Sequence, residues 1–283
     1  MKNTCAVALG TFDGLHKAHI AVLKNALKAN TSEKICITFP VPPKMANGKK
    51  ELLITQQEKE QMLLSMGFSK VITLDFNKVK TLAPEDFLNL LVKNFGATHF
   101  SVGYNYHFGK GASGNAEFLR EYCNKYSLTP IITDGVKENG EYISSSAIRQ
   151  YLKEGNVKSA NCFLGRRFSY TATVIGGDKR GRTIGVPTIN QHLPQGLVQV
   201  KFGVYHSFVE LDGQGYNAIT NIGLRPTYEV DTPILETHII GFSGDLYGKN
   251  VTVQLVDYIR PEQKFTTLEE LTTAIKNDIA TIN

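Results

Sequence analysis

The sequence predicts an α/β domain with a parallel sheet, followed by an all-β domain that forms an antiparallel barrel and ends in a helix. Two observations predict this order. In the first half, short apolar runs alternate with segments of helical spacing, which is the pattern of strands joined by crossover helices. Beyond Gly165 the apolar residues recur at every second position, and successive strand-like runs have no helix between them.

The first half is expected to form a Rossmann-like parallel sheet with helices on both faces. Cys5–Leu9 is a short apolar run that ends at a glycine, as in a strand buried on both faces. Ile20 and Leu27 then lie on one helical stripe, and Thr55 with Glu58 forms a capping box. The remaining predicted elements are strands at Ile35–Phe39, Val71–Phe76, His99–Gly103 and Pro130–Thr133 and helices at Pro84–Phe95 and Glu117–Tyr126.

The spacing of apolar residues changes in the segment that follows Tyr151. Helical spacing over Ser145–Leu152 and Val157–Leu164 gives way to a period of two, and a final helix begins at Thr267, with Glu270 completing a capping box. Predicted strands include Phe168–Ile175, Val198–Leu211, Leu235–Phe242 and Val251–Ile259. We place the boundary near residues 155–165 and predict domains at 1–160 and 161–283.

Composition excludes several classes of protein. The net charge of +5 is not concentrated in a basic stripe, so we expect no nucleic-acid partner. The 4 cysteines are far apart and lack zinc spacing, which favours free thiols in a reducing, cytoplasmic setting. No apolar stretch reaches the roughly 18 residues that a membrane span requires. Nothing in the pattern predicts an oligomeric state.

The first candidate site is the segment from Gly10 to His19, directly after the first strand. Its glycines let the backbone approach a phosphate, and the following helix start offers unpaired N–H groups to an anion. His16 and His19 are three apart and can stabilise charge on an α-phosphate during nucleotidyl transfer. The spacing alone fits two surface or packing histidines equally well, whereas a metal pair lacks a third ligand.

Two further segments have the composition of anion or ligand loops. Ser144–Ser146 opens a helix with Arg149 one turn later, which suits a second anion cradle but also an ordinary serine cap beside a surface arginine. Gly103–Lys110 follows the fourth predicted strand and is either a ligand loop or a plain turn.

In their order along the chain, these segments resemble the adenylyltransferase module of bacterial bifunctional riboflavin kinase/FMN adenylyltransferases, of the HxGH nucleotidyltransferase superfamily. The shared patterns are G-x-F-D-G-x-H-x-x-H, G-x-N-Y-x-F-G and S-S-x-x-I-R. The resemblance assigns nucleotide binding to Gly10, Thr11, Phe12, Asp13, Asn105, Ser145 and Ser146, and catalysis to His16, His19 and Arg149. This chain departs from the family at Ala18, where the family has glycine, at Ser146, where it has threonine, and at Pro42, where it has histidine.

The second half resembles the riboflavin kinase module of the same family in four ordered motifs. They begin at Gly181 (GRTIGVPTIN), Asn221 (NIGLRPTY), Glu236 (ETHIIGF, then GDLYG) and Ile259 (IRPEQKF). The resemblance makes Glu236 the base for the ribityl 5′-hydroxyl, Thr188 and Asn190 the Mg²⁺ ligands, Gly181, Arg182 and Asn221 nucleotide contacts, and Arg260 and Phe265 flavin contacts. Ile189 replaces the family's alanine and Gly241 its aspartate.

The resemblance implies two reactions: phosphorylation of riboflavin to FMN and adenylylation of FMN to FAD, both with ATP and Mg²⁺. The implied ligands are riboflavin, FMN, FAD and ATP. Two alternatives stay open at this point. In one, only one half is active, with the kinase favoured by the departures at Ala18 and Pro42. In the other, the chain is a non-catalytic flavin-binding regulator, which would need neither a base nor metal ligands.

Overall fold

The computed structural model describes residues 4–42, 45, 51–176, 185–224 and 233–282. The chain divides into two compact units, Met1–Ser145 and Ser146–Asn283. The boundary that we predicted at residue 160 lies inside a helix of the second unit, Val157–Leu164. That helix belongs with the second unit because Asn161 donates from its side chain to the Leu255 carbonyl.

The first unit is built on a five-stranded parallel sheet with the order β3-β2-β1-β4-β5, as predicted. Every residue of the central strand β1 is buried, which explains its uninterrupted apolar sequence. The strands are β1 (Cys5–Leu9), β2 (Glu33–Thr38), β3 (Lys70–Thr73), β4 (Ala97–Gly103) and β5 (Thr129–Thr133). The carboxyl ends of these parallel strands lie along one edge of the sheet, where α/β proteins bind their ligands.

Helices cover both faces of this sheet. They are α1 (Lys17–Leu27), α2 (Gln56–Ser65), α3 (Phe76–Val79), α4 (Pro84–Phe95) and α5 (Ala116–Lys125). Val7 belongs to a core with residues of α4 and α5, and Ala8 to a separate core with residues of α1 and α2. The predicted capping box of Thr55 and Glu58 is present, and α4 ends at Gly96 in the left-handed conformation.

The first unit differs from the prediction in two places. The third strand ends at Thr73 rather than Phe76, because the Asp75 side chain accepts a hydrogen bond from the Asn77 amide and starts the short helix α3. A hairpin of β6 (Lys137–Glu138) and β7 (Glu141–Tyr142) was not predicted. Its turn is Asn139-Gly140, with φ of 51° and 83°, which is the dipeptide most favoured in two-residue hairpins.

Helix α6 (Ser145–Glu154) starts at the last residue of the first unit and otherwise belongs to the second unit. Helix α7 (Val157–Leu164) follows, and then six antiparallel strands in the order β8-β13-β10-β11-β12-β9. The strands are β8 (Phe168–Thr173), β9 (Ile189–His192), β10 (Gly203–Leu211), β11 (Gln214–Leu224), β12 (Pro233–Ile239) and β13 (Asn250–Arg260). A bridge between Ile175 and Asn190, and a bond from the Gln191 side chain to the Ala172 carbonyl, join the two edge strands. The sheet is therefore a nearly closed barrel, and the predicted antiparallel barrel is confirmed.

Several strands of the barrel differ from the predicted pattern. β10 begins at Gly203 instead of Val198, because the backbone at Val198 and Val200 bonds to the Tyr170 hydroxyl rather than to a strand. Strands β9 and β11 were not among the predicted runs. The last helix, α8 (Leu268–Ala280), agrees with the prediction: Thr267 is its N-cap and forms the expected capping box with Glu270.

Candidate active sites

The loop between β1 and α1 has an unusual backbone. Phe12, Gly14 and Leu15 have φ of 49°, 86° and 44°. Glycine adopts this left-handed region freely, but phenylalanine and leucine do so at a cost of about 1–3 kcal/mol each. Both side chains are buried in the core formed with α1 and α2, which holds the loop in this shape. Strained loops at the carboxyl end of a central strand are typical of ligand sites.

His16 and His19 meet at the start of α1. His16 is the N-cap, and its Nδ1 accepts a hydrogen bond from the His19 amide at 3.3 Å. The two imidazoles stack with their centroids 3.5 Å apart, and the Phe12 ring meets His19 edge-on at 5.5 Å. The structure therefore brings together three residues of the predicted phosphate loop.

The His19 imidazole is neutral near pH 7. Burial holds the pKa of His19 well below its ordinary value, and the neighbouring His16 and Lys59 lower that pKa further. Its Nδ1 is buried and has no hydrogen-bond partner among the described residues. A buried nitrogen without a partner costs free energy, and a bound ligand is one way to satisfy it.

Asp13 connects the loop to two other segments of the first unit. Its carboxylate Oδ1 accepts a hydrogen bond from the Leu53 amide at 2.9 Å, and its carbonyl accepts one from the Ser145 hydroxyl at 2.8 Å. The structure thus joins Ser145, from the third predicted motif, to the Gly10–His19 segment. The contacts of Asp13 and Ser145 support a role in shaping the loop.

The other predicted residues of this half lie as follows. Asn105 is exposed in the loop after β4, and Ser146 is exposed while Arg149 is half-buried, both on α6 of the second unit. Ala18 is half-buried in the first turn of α1, where alanine favours helix more than the family's glycine does. Pro42 is half-buried in the segment after β2.

Sequence reasoning missed two features near this loop. Lys59 is buried beneath it, and the signal was a charged residue one helical turn before the buried Leu63 in α2. The β6–β7 hairpin is tied to the start of α1 by an ion pair of 2.8 Å between Lys17 and Glu138. The Asn-Gly dipeptide was the signal for that hairpin.

The barrel places three predicted residues in one row. Glu236 on β12 is the register partner of Asn190 on β9 and of Asn221 on β11. Residues that pair directly across strands present their side chains on the same face. The predicted base therefore lies beside a predicted metal ligand, and the Asn221 amide donates to Glu262 at 3.2 Å next to them.

The loop that carries Thr188 is held against β12. The His238 Nδ1 donates to the Pro187 carbonyl at 2.8 Å, because a carbonyl oxygen can only accept. Thr188 is exposed and lies two residues before Asn190, which is 7% exposed. His238 thus contacts the segment that leads into the proposed metal ligands.

A cavity of about 330 Å³ opens beside Thr188 in the barrel unit. It has apolar walls and several hydroxyl, carboxylate and backbone groups, which is the usual make-up of a small-molecule site. It is lined by Val174, Pro187, Thr188, Ile189, Thr237, Ile239, Phe242, Ser243, Gly244, Asp245, Leu246 and Tyr247. Ile189, the larger side chain in place of the family's alanine, is part of this wall. Gly241, directly before the lining residue Phe242, has a left-handed backbone with φ of 74°.

Arg260 has contacts that anchor the last helix. Its Nε and Nη2 donate to the two carboxylate oxygens of Asp278 on α8 at 2.9 and 2.8 Å. The guanidinium also lies 5.8 Å from the centroid of the Phe265 ring. Flavin binding by Arg260 and Phe265 stays a prediction. Gly181 and Arg182 lie outside the described residues.

Comparisons with known proteins match each half of the chain separately. A family model described as FAD synthetase matches residues 1–147, and one described as riboflavin kinase matches residues 164–283. Curated relatives named bifunctional riboflavin kinase/FMN adenylyltransferase match nearly the whole chain. The Escherichia coli K12 protein is 34% identical and the alignment covers 97% of this chain and 90% of its own. The Pseudomonas fluorescens protein is 32% identical, with 98% and 91% covered.

A solved structure shares the fold over its full length. It comes from a Streptococcus pneumoniae protein described as a macrolide-efflux protein, is 31% identical, has a TM-score of 0.88, and covers 99% of this chain and 96% of its own. That description applies to that protein. Among the residues that the structure describes here, no helix has the length and apolar character needed to cross a membrane. The two family models and the curated relatives carry the functional comparison, because they agree over both halves.

Proposed function

The chain belongs to the family of bifunctional riboflavin kinase/FMN adenylyltransferases, and we propose that its two units carry separate active sites, one for each reaction of flavin cofactor synthesis. The observation that carries the kinase assignment is the row in which Glu236 stands between Asn190 and Asn221. The stacked histidines on the strained loop carry the adenylyltransferase assignment in the same way.

In the kinase site, we assign Glu236 to the 5′-hydroxyl of riboflavin. The carboxylate orients the hydroxyl oxygen and accepts its proton as that oxygen bonds to the γ-phosphorus of ATP, which gives FMN and ADP. The Thr188 hydroxyl and the Asn190 amide oxygen are hard ligands of the type that Mg²⁺ prefers, so this donor set fits the metal. Bound there, Mg²⁺ would neutralise charge on the transferring phosphate.

The cavity beside Thr188 suits the adenosine part of ATP. Thr188 lines the cavity, and Asn190 two residues later stands in the row with Glu236. Ile189 and Thr237 line the cavity, so their neighbours Asn190 and Glu236 lie on the other face of their strands. We therefore assign only the adenosine part to the cavity, with Thr188 as the link to the phosphates. The mixture of apolar walls and hydrogen-bonding groups supports this placement.

In the adenylyltransferase site, a phosphate oxygen of FMN bonds to the α-phosphorus of ATP, and pyrophosphate leaves. The Nδ1 of His16 accepts the His19 amide, so the proton of a neutral His16 is on Nε2, which can donate to a phosphate oxygen. The start of α1 adds N–H groups and the positive end of the helix dipole. Both contributions stabilise the charge that develops on the leaving pyrophosphate.

Separate assays of the two products test the proposal. The purified chain is incubated with MgATP and either riboflavin or FMN, and the flavins are separated by chromatography. FAD from both mixtures is the expected result. FMN from the first mixture without FAD from either would mean that only the kinase works. No new flavin in either mixture, with flavin binding intact, would instead favour a non-catalytic regulator.

A further inference from the structure

Lys59 is a buried cation that neither proposed reaction uses directly. It lies in the middle of α2 and is 3% exposed. Its contacts all lie within the first unit. Lysine is almost never fully buried unless its charge is compensated, so the contacts of its ammonium group explain why it is tolerated.

The ammonium group joins the ends of two neighbouring strands. Nζ donates to the Phe39 carbonyl at 2.7 Å, to the Thr11 carbonyl at 3.2 Å and to the Thr38 hydroxyl at 3.2 Å. These three acceptors match the three donors of an ammonium group. The Thr38 hydroxyl also donates to the Thr11 carbonyl at 3.0 Å. Thr11 lies directly before the left-handed Phe12, so this network fixes the entry to the strained loop.

The charge of Lys59 is not balanced by a close carboxylate. None of the ion pairs within the described residues includes Lys59, and Asp13 acts on it electrostatically from beyond contact distance. Burial of an ammonium group without a paired carboxylate carries a desolvation cost that neutral acceptors offset only in part. The position of this costly charge beneath a loop that is proposed to bind phosphate points to a role in that site.

We propose that Lys59 is a positioning residue for adenylyl transfer, whose ammonium group holds the carbonyls of Thr11 and Phe39 and places a positive charge beneath the phosphate loop. The proposal rests on the adenylyltransferase function given above. Lys59 touches neither substrate in this assignment. It acts through the backbone that carries His16 and through its field on the bound phosphates.

The matched variants are Lys59→Met, which keeps the length of the side chain, and Lys24→Met, which removes an exposed lysine of α1. For Lys59→Met we expect kcat of FAD formation to fall about 100-fold, as displacement of a catalytic loop does, with a smaller change in KM for ATP. FMN formation by the same preparation should match that of Lys24→Met. Lys59→Arg restores part of the lost FAD formation if the charge itself contributes.

A pH profile of the unaltered enzyme tests the charge without any substitution. Burial lowers the pKa of Lys59 to about 8, and Asp13 and Cys36 oppose that shift. Burial raises the pKa of the facing Cys36 thiol and lowers that of His19, so neither changes its charge near pH 8. We expect FAD formation to decline above about pH 8 as Lys59 loses its proton, and FMN formation to show no matching decline.

Each result distinguishes the role of Lys59 from the assignment of the site. FAD formation by Lys59→Met at the level of Lys24→Met, or equal loss of both activities, would overturn the positioning role. The positioning role would also be overturned if FAD formation by Lys59→Met declined above about pH 8 in the same way as that of the unaltered enzyme. An unaltered chain that makes FMN but no FAD would overturn the adenylyltransferase function itself, and this proposal with it.

Discussion

The two candidate sites are assembled in opposite ways. The phosphate loop of the first unit is one continuous segment, shaped by left-handed residues and the start of a helix, and most of its groups are backbone or buried. The row in the barrel is formed by side chains from three different strands that are brought together by register. The activity of the site on the loop therefore depends on the contacts that hold the loop backbone. The activity of the site in the barrel depends instead on each side chain that the paired strands present.

The largest effect that this comparison predicts is at Glu236. Glu236→Gln keeps the shape of the side chain but removes the carboxylate that we propose accepts the proton of the 5′-hydroxyl, so we expect kcat of FMN formation to fall by about 10²–10⁴-fold. FAD formation from FMN should stay unchanged. Glu210→Gln, at an exposed position on β10, is the matched control. Equal loss of FMN and FAD formation would contradict the proposal that the two reactions take place at separate sites.

The next largest effect is expected at His16, which is the N-cap of α1 and is also proposed to donate a hydrogen bond to a phosphate oxygen. His16→Ala removes the imidazole that we propose stabilises the leaving pyrophosphate, and we expect a loss of about 10²–10³-fold in kcat of FAD formation. The rate of FMN formation in the same preparation is the internal control. If the rate of FAD formation stays within a few-fold of that of the unaltered enzyme, the His16 imidazole does not stabilise the pyrophosphate, and the N–H groups at the start of α1 would have to do so alone.

A third prediction concerns stability in the barrel unit. The Arg260 and Asp278 side chains form an ion pair of 2.8 Å and are 19% and 6% exposed. Asp278→Asn leaves the guanidinium with a weaker partner, and breaking such a pair costs about 3–5 kcal/mol of unfolding free energy. Urea denaturation measures this, and FMN formation should suffer more than FAD formation. Unchanged stability would show that Asp278 does not anchor α8.

The smallest effect is expected at Ala18. Ala18→Gly restores the family's residue and lowers helix propensity in α1 by about 1 kcal/mol. We expect the thermal midpoint to fall slightly and FAD formation to change by only a few-fold, because Ala18 is half-buried in the first helical turn. A large gain in FAD formation would instead show that the Ala18 methyl group obstructs the phosphate.

The sequence predicted best those features that a few adjacent residues determine. Both capping boxes, at Thr55 and Thr267, and the end of α4 at Phe95 were predicted because the residues that determine them lie within one turn. The row of Asn190, Glu236 and Asn221 could not be derived from periodicity, since it depends on which strands pair. Those residues were selected by resemblance to a family, and the pairing then placed them together.

Lys59 and the start of β10 were missed for a related reason. A lysine is normally a surface residue, and the three acceptors of its ammonium group lie in segments 20 to 48 positions away in the chain. Likewise, an alternating run at Val198 predicts a strand, but the Tyr170 hydroxyl takes the backbone hydrogen bonds there. In both cases a long-range contact overrides a local pattern.

The pairing of the first barrel strand has a consequence for synthesis of the chain on the ribosome. β8, at Phe168–Thr173, has its ladder partner in β13, at Asn250–Arg260. The strands of the parallel sheet, by contrast, are all complete by Thr133. Since domains fold as units in the order of translation, the first unit can become native while β8 still has an unpaired edge. We expect a nascent chain to acquire adenylyltransferase activity first, and the waiting barrel segment to be the part most in need of a chaperone.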